Sequence, residues 1–183
     1  MVFSAPSRRI RVGAIRTVLL GAIAAVSPIA TANSVSDASP RVRSSSPVIL
    51  ALMTDAAGHS RTFRRLLETI EGTNGIVYVE PGECGHGVRA CLTMSVTPAG
   101  GFRILRIVID MRQKPPDLMG SIGHELRHAI EVLENSALVD TAGFYLFYAK
   151  GSVSDGRPFE TPAAIEAGFA VRNEIESSLT KAR

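Results

Sequence analysis

His124 and His128 stand four residues apart, with Glu125 directly after the first of them. This pattern does metal chemistry only on a helix. There, positions i and i+4 share one face about 6 Å apart, so two imidazoles can converge on one ion. Zinc accepts imidazole nitrogen at about 2.0–2.1 Å and, in catalytic sites, keeps a position open for water. Glu125 points to the side of the ion, where a carboxylate can take a proton from water whose pKa the metal has lowered. Both imidazoles must be neutral to bind, so the site needs a pH above their pKa.

The surrounding residues are those of a helix. Ile122, Leu126, Ala129, Ile130 and Leu133 form an apolar stripe beside the histidines, and no proline interrupts Leu118 to Glu134. Asp117 or Ser121 is placed to open that helix, which is expected to run through Glu134.

The motif His124-Glu125-Leu126-Arg127-His128 resembles that of zincin-type zinc metallopeptidases, and more narrowly the branch whose third ligand is a glutamate on a later helix. The branch with a third histidine continues His-x-x-Gly-x-x-His; here Glu131 and Glu134 stand where that Gly and His would be. Glu131 is therefore expected to support the site or face solvent rather than bind the ion. The resemblance covers the motif helix and one downstream helix. It implies a Zn2+ cofactor and hydrolysis of a peptide or protein substrate. It also implies an edge strand beside the cleft that holds extended peptide; Phe102 to Asp110 is a candidate for the strand adjoining the motif helix.

Glu160 and Glu166 compete as third ligand. On a helix starting after Thr161-Pro162, Glu166 shares a face with Asn173 and Ser177, the wet side. Ala164, Val171 and Ile175 cluster on the opposite side, and Glu160, extended one turn back, falls with them. Gly168 lies on the same row and would let another backbone approach closely. A buried carboxylate is costly unless it is paired or binds metal, which favours Glu160. The resembled branch places an aspartate four residues after this glutamate, orienting a histidine; position 164 is alanine, and Asp140 is one substitute. Tyr145, Tyr148 and His86 are weaker candidates for stabilising an oxyanion, and His59 reads as a surface residue.

Cys84 and Cys91 are the only cysteines. Zinc ligation by Cys84, His86 and Cys91 would call for a fourth ligand that has no counterpart nearby, so a disulfide is expected. That fits an exported chain. Arg8, Arg9, Arg11 and Arg16 precede an uncharged run from Thr17 to Ala32 that closes on Ala30-Thr31-Ala32, the order of a secretory signal peptide cleaved after Ala32. The run is too short for a comfortable membrane span, so membrane contact is expected only through this segment if it is uncleaved. Removing residues 1–32 takes away four arginines and no acid, so the net charge moves from +3 to −1. The basic balance belongs to the precursor and gives no warrant for a nucleic-acid partner. The protein is expected to be secreted or periplasmic.

Residues 33–47, rich in Ser, Pro and Arg, read as a flexible linker, leaving 48–183 as one zincin-like domain. Val48 to Met53 is apolar and of open type. Ser60 can cap a helix over about 61–71. Strands are expected at Ile76–Val79, Ala90–Thr97 and Phe102–Asp110, the last two as a hairpin across Pro98-Ala99-Gly100-Gly101. Ser136 can cap a helix over about 137–149, and Thr161-Pro162 opens another to about Leu179. The expected fold is α+β: a small sheet packed on the motif helix, one helix before the sheet and two after the motif. Two functions follow. One is an exported zinc peptidase with His124, His128 and Glu160 on the metal and Glu125 as general base. The other is a zinc-stabilised binding or structural envelope protein without peptidase turnover.

Overall fold

The computed structural model describes residues 40–85, 87–151 and 160–181. The signal segment, the start of the linker, His86 and most of the loop before Glu160 lie outside the described residues. The described part belongs to one compact unit beginning at Ala38.

Ser46 accepts a hydrogen bond from the Ile49 N–H and Pro47 sets the first turn of helix α1, Pro47–His59. The apolar segment of open type is therefore helical. Ser60 follows at once as the cap of α2, Arg61–Glu71, its Oγ 2.9 Å from the Phe63 nitrogen. Phe63, Leu66 and Ile70 are the buried stripe of that helix. Before α1, within the expected linker, Val42–Arg43 form a short strand, β1.

β2 (Gly75–Pro81) and β5 (Phe102–Ile109) are paired in parallel at the centre of a five-stranded mixed sheet, and β1 runs parallel to β2. β3 (Ala90–Leu92) and β4 (Thr97–Ala99) both lie antiparallel to β5 on its other edge. The expected hairpin is thus present, but its first strand breaks in the middle. At the break the Ser95 N–H turns back to the Thr93 carbonyl, 2.7 Å away. The turn is built by Gly100 and Gly101, both at positive φ (55° and 88°).

β2 and β5 alternate as half-covered strands should. Val77, Val79, Leu105, Ile107 and Ile109 are fully enclosed, whereas Tyr78, Glu80, Ile104 and Arg106 lie on the other, more open face. The enclosed face meets α3, Pro115–Glu134, the long central helix. Pro115 and Pro116 occupy its first turn, and Asp117 adds a negative charge near the positive end of the helix dipole. Ile122, Leu126, Ala129 and Ile130 are buried, as the stripe requires. Truncating one of the larger ones, Leu126→Ala for instance, costs about 2–5 kcal/mol.

After a turn at Asn135–Leu138 the chain forms α4, Thr141–Gly151, starting later than Ser136 would place it. The cap is Asp140, whose Oδ1 accepts from the Gly143 N–H at 2.8 Å. α5, Pro162–Lys181, opens where Thr161-Pro162 places it, with Thr161 Oγ1 accepting from the Ala164 N–H. α5 packs along α3, where Gly120 and Gly168 face one another. A Cβ on Gly168 would sit 3.1 Å from the His124 Cβ and 3.2 Å from the Gly120 carbonyl oxygen, so a larger residue would push the two helices apart by a few tenths of an ångström. The architecture is α+β, a small mixed sheet on a helical layer.

Candidate metal centre

α3 carries both histidines on one face, and the chain entering α5 brings Glu160 to them. The His124 and His128 Nε2 atoms are 3.1 Å apart, and His124 Nε2 is 3.3 Å from Glu160 Oε2. One donor atom from each of the three residues falls within 4.8 Å of the other two. Two donors bound tetrahedrally at about 2.0–2.1 Å lie roughly 3.3 Å apart, so these separations suit a small divalent ion. Two imidazoles and one carboxylate form a donor set that can hold such a metal. Glu166, the competing ligand, is exposed on the far face of α5. The helical-wheel assignment of Glu160 to the inner side thus agrees with its place in the structure.

Each member is tied from behind. His128 is 5% exposed, and its Nδ1 lies 2.9 Å from Glu131 Oε2. The other Glu131 oxygen accepts from Thr161 Oγ1 at 2.7 Å. Glu131 therefore does for His128 what a carboxylate behind a metal-bound histidine usually does: it holds the ring and leaves Nε2 facing His124 and the place where an ion could bind. It also connects α3 to the residue that opens α5, one position from Glu160. Asp140, the sequence candidate for this task, caps α4 instead. The signal for Glu131 was its spacing, three residues after His128 and so on the same helical face.

Charge in the metal-free site is set by burial acting against hydrogen bonds and neighbouring charges. For His124, burial opposes protonation, but the hydrogen bond to Glu160 and the charges of Glu125, Glu160 and Glu131 outweigh it, so its pKa is raised. Burial also raises that of Glu125, against the pull of the neighbouring histidines. For Glu131, burial is overcome by the hydrogen bonds from His128 and Thr161, and the pKa is lowered. A metal would add its own positive charge and shift all three toward their deprotonated forms, the form in which His124 can bind it.

Glu125 is 6% exposed, and its Oε2 accepts from the main-chain N–H of Leu92 in β3 at 2.7 Å. This contact was invisible in the sequence because it joins a helix to a three-residue strand. Phe102–Ile109 packs on α3 as the strand adjoining the motif helix should, and β3, one place further out, is the strand that borders the cleft. Tyr148 is buried with its ring edge-on to His128, centroids 5.3 Å apart, and its hydroxyl donates to the His128 carbonyl at 3.4 Å. Burial pushes that phenol well above its ordinary pKa, so it stays protonated. Tyr145 is exposed and lines neither cavity beside the cluster. His59 is also exposed, next to Asp55.

Two cavities open on either side of the three ligands. One, of about 400 Å3, is bounded by Leu92, Met94, Phe144, Tyr148 and the cysteines. The other, of about 530 Å3, is bounded by Arg89, Arg112, Gln113, Ser121 and Arg172. His124, Glu125, Glu160, Val88 and Ala90 border both. Cys84 and Cys91 are joined as a disulfide, the form that persists in an oxidising compartment. Among the described residues no helix is long and apolar enough to cross a membrane. No protein-family model, no curated protein and no solved structure matches this chain.

Proposed function

We propose that the protein is an exported zinc-dependent peptidase. The observation that carries this reading is the set His124, His128 and Glu160 meeting beside a buried carboxylate, Glu125, on the floor of an open cleft. Nitrogen and carboxylate donors with a free side toward the cleft favour zinc. Held there, zinc would polarise a carbonyl and lower the pKa of a bound water to about 7.

The chain's own groups do the rest. Glu131 and Thr161 hold His128 in place. Burial raises the proton affinity of Glu125, which suits a group that must take a proton from the attacking water and return it to the leaving amine near neutral pH. β3 offers extended peptide an edge beside these groups, since its outer side pairs with no described strand. The disulfide and the arginine-led apolar N-terminus support export.

The test is hydrolysis of a mixed peptide library by the zinc-loaded full chain, with Glu125→Gln alongside and metal content measured on both. The expected outcome is one zinc per chain in each and turnover reduced by about 10²–10⁴ in the variant, the usual worth of a general acid–base group. Equal turnover in both proteins would refute the mechanism. Zinc in both without Glu125-dependent turnover would instead support a binding or structural protein.

A further inference from the structure

The two cavities differ in chemistry, and β3 runs between them with a definite direction. The Asp110 N–H donates to the Arg89 carbonyl at 2.9 Å, and the Thr93 N–H to the Arg106 carbonyl at 2.8 Å. These bonds turn the main chain of Arg89 and Thr93 toward β5. In an antiparallel ladder the direction alternates, so Ala90 and Leu92 point their N–H and C=O away from β5, toward the cleft. The Leu92 N–H bears this out, since it is the one that reaches Glu125. A peptide can add to this edge through the N–H and C=O of Ala90 and the C=O of Leu92, whose N–H is held by Glu125, and antiparallel pairing is the more stable sense.

A peptide lying antiparallel to β3 passes first over the Leu92–Met94 end and then over the Arg89 end. Its N-terminal half meets the apolar cavity, its C-terminal half the polar one. His124 and Glu160 border both, and His128 the apolar one, so the reacting carbonyl lies where the two cavities meet. The residue donating that carbonyl then has the apolar cavity beneath its side chain. Among the described residues, the cavity's wall away from the histidines and glutamates of the metal cluster is chiefly Leu92, Met94, Phe144 and the two cysteines, and the Tyr148 hydroxyl is directed at the His128 carbonyl. A charged side chain entering would lose its hydration for little return, whereas a large apolar one would be well covered.

On the peptidase reading above, we propose that this enzyme cleaves peptides on the carboxyl side of a bulky apolar residue such as Phe, Leu or Met. The side chain of that residue occupies the cavity between β3 and α4, with Leu92, Met94 and Phe144 setting the preference.

The experiment is mass-spectrometric profiling of a random peptide library cut by the zinc-loaded full chain. The expected result is enrichment of Phe, Leu and Met at the residue supplying the scissile carbonyl. In kcat/KM, Phe over Ala there should be worth at least about 10-fold, since a single methylene in an apolar pocket is already worth about 10–200-fold. Met94→Glu should lower the Phe preference about tenfold and bring Lys and Arg into the same position, a change that simple loosening of the fold would not produce. A second readout needs no turnover: the Met94 methyl resonance should shift on adding N-acetylphenylalanine amide and stay in place with N-acetylserine amide. Enrichment on the amine side of the cut would mean that the peptide runs the other way, and would overturn the proposal. So would Glu125-dependent cleavage with no apolar preference, or a profile unchanged in Met94→Glu; either leaves the peptidase reading standing. No Glu125-dependent cleavage of any peptide would overturn both.

Discussion

The metal platform and the cleft wall are built by different means. The platform is two 20-residue helices, α3 and α5, crossing closely at Gly120 and Gly168, each opened by proline. Its working side chains are fixed by regular backbone and by the bond from Thr161 to Glu131. The wall is a three-residue strand, a bend and a short loop closed by a disulfide, its described residues half-exposed in the strand and mostly exposed in the loop. On the proposed peptidase reading, the difference teaches where each half of the function would reside. Holding an ion needs donors fixed to within tenths of an ångström, which helices supply. Accepting a peptide needs an unpaired strand edge, which the sheet supplies only where it ends.

If that division is right, damage to the platform should remove metal, and damage to the wall should remove substrate while leaving metal bound. The largest effect belongs to the platform. Glu160→Ala should abolish stoichiometric zinc binding, read by elemental analysis after dialysis, while Glu166→Ala on the outer face should bind as the parent does. Equal loss in the two would sink the assignment of Glu160. Next comes the wall. The double substitution Cys84→Ser, Cys91→Ser should destabilise the protein by about 2–3 kcal/mol in urea unfolding, the chain-entropy cost of opening so short a loop. It should also lower peptide turnover, because Cys91 precedes Leu92 in β3, and still leave one zinc per chain. Loss of metal with the disulfide would break the comparison. A smaller effect returns to the platform: Glu131→Ala should weaken zinc about 10–100-fold by freeing the His128 ring, measured by competition with a chelator.

Legibility in the sequence followed the same division. The platform was readable because helical spacing converts position into direction. The motif placed two histidines on one face, and the wheel of 162–181 placed Glu160 inward and Glu166 outward. The cap-and-proline pair Thr161-Pro162 marked the start of α5. The same pair occurs as Ser46-Pro47 and opens α1, yet it passed unread because it ends a stretch whose composition suggests a linker. The helix expected from Ser136 starts at Thr141 because Asp140, five residues after α3 closes at Asn135, outcompetes it as cap. The wall was nearly illegible. A continuous strand over 90–97 fits the alternation of residue types, but nothing local encodes the bend at Thr93–Ser95 or the contact from Leu92 to Glu125. Such contacts depend on how a short strand and a helix meet across the fold.

The smallest predicted effect lies where wall and sheet join. Asp110, just past the end of β5, is enclosed, and three groups donate to it: the Arg112 side chain at 2.7 Å, the Arg112 main-chain N–H at 3.0 Å and the Arg89 guanidinium at 3.1 Å. The Arg112 side-chain bond, foremost among these, holds its carboxyl well below the ordinary range. A carboxyl whose folded pKa is depressed contributes stability at all pH above its unfolded value of about 3.9, and that contribution fades as pH falls through the folded value. The gap in Tm between the parent and Asp110→Asn should therefore be constant from pH 7 to 5 and close progressively below about pH 4. Both arginines reach into solvent, so 1 M salt should narrow the gap at neutral pH as well. A gap that instead widened on acidification would mean that Asp110 is protonated in the folded protein. Zinc content should not follow this titration at all, since the ion pair fastens the first residues of the wall and touches none of the three ligands.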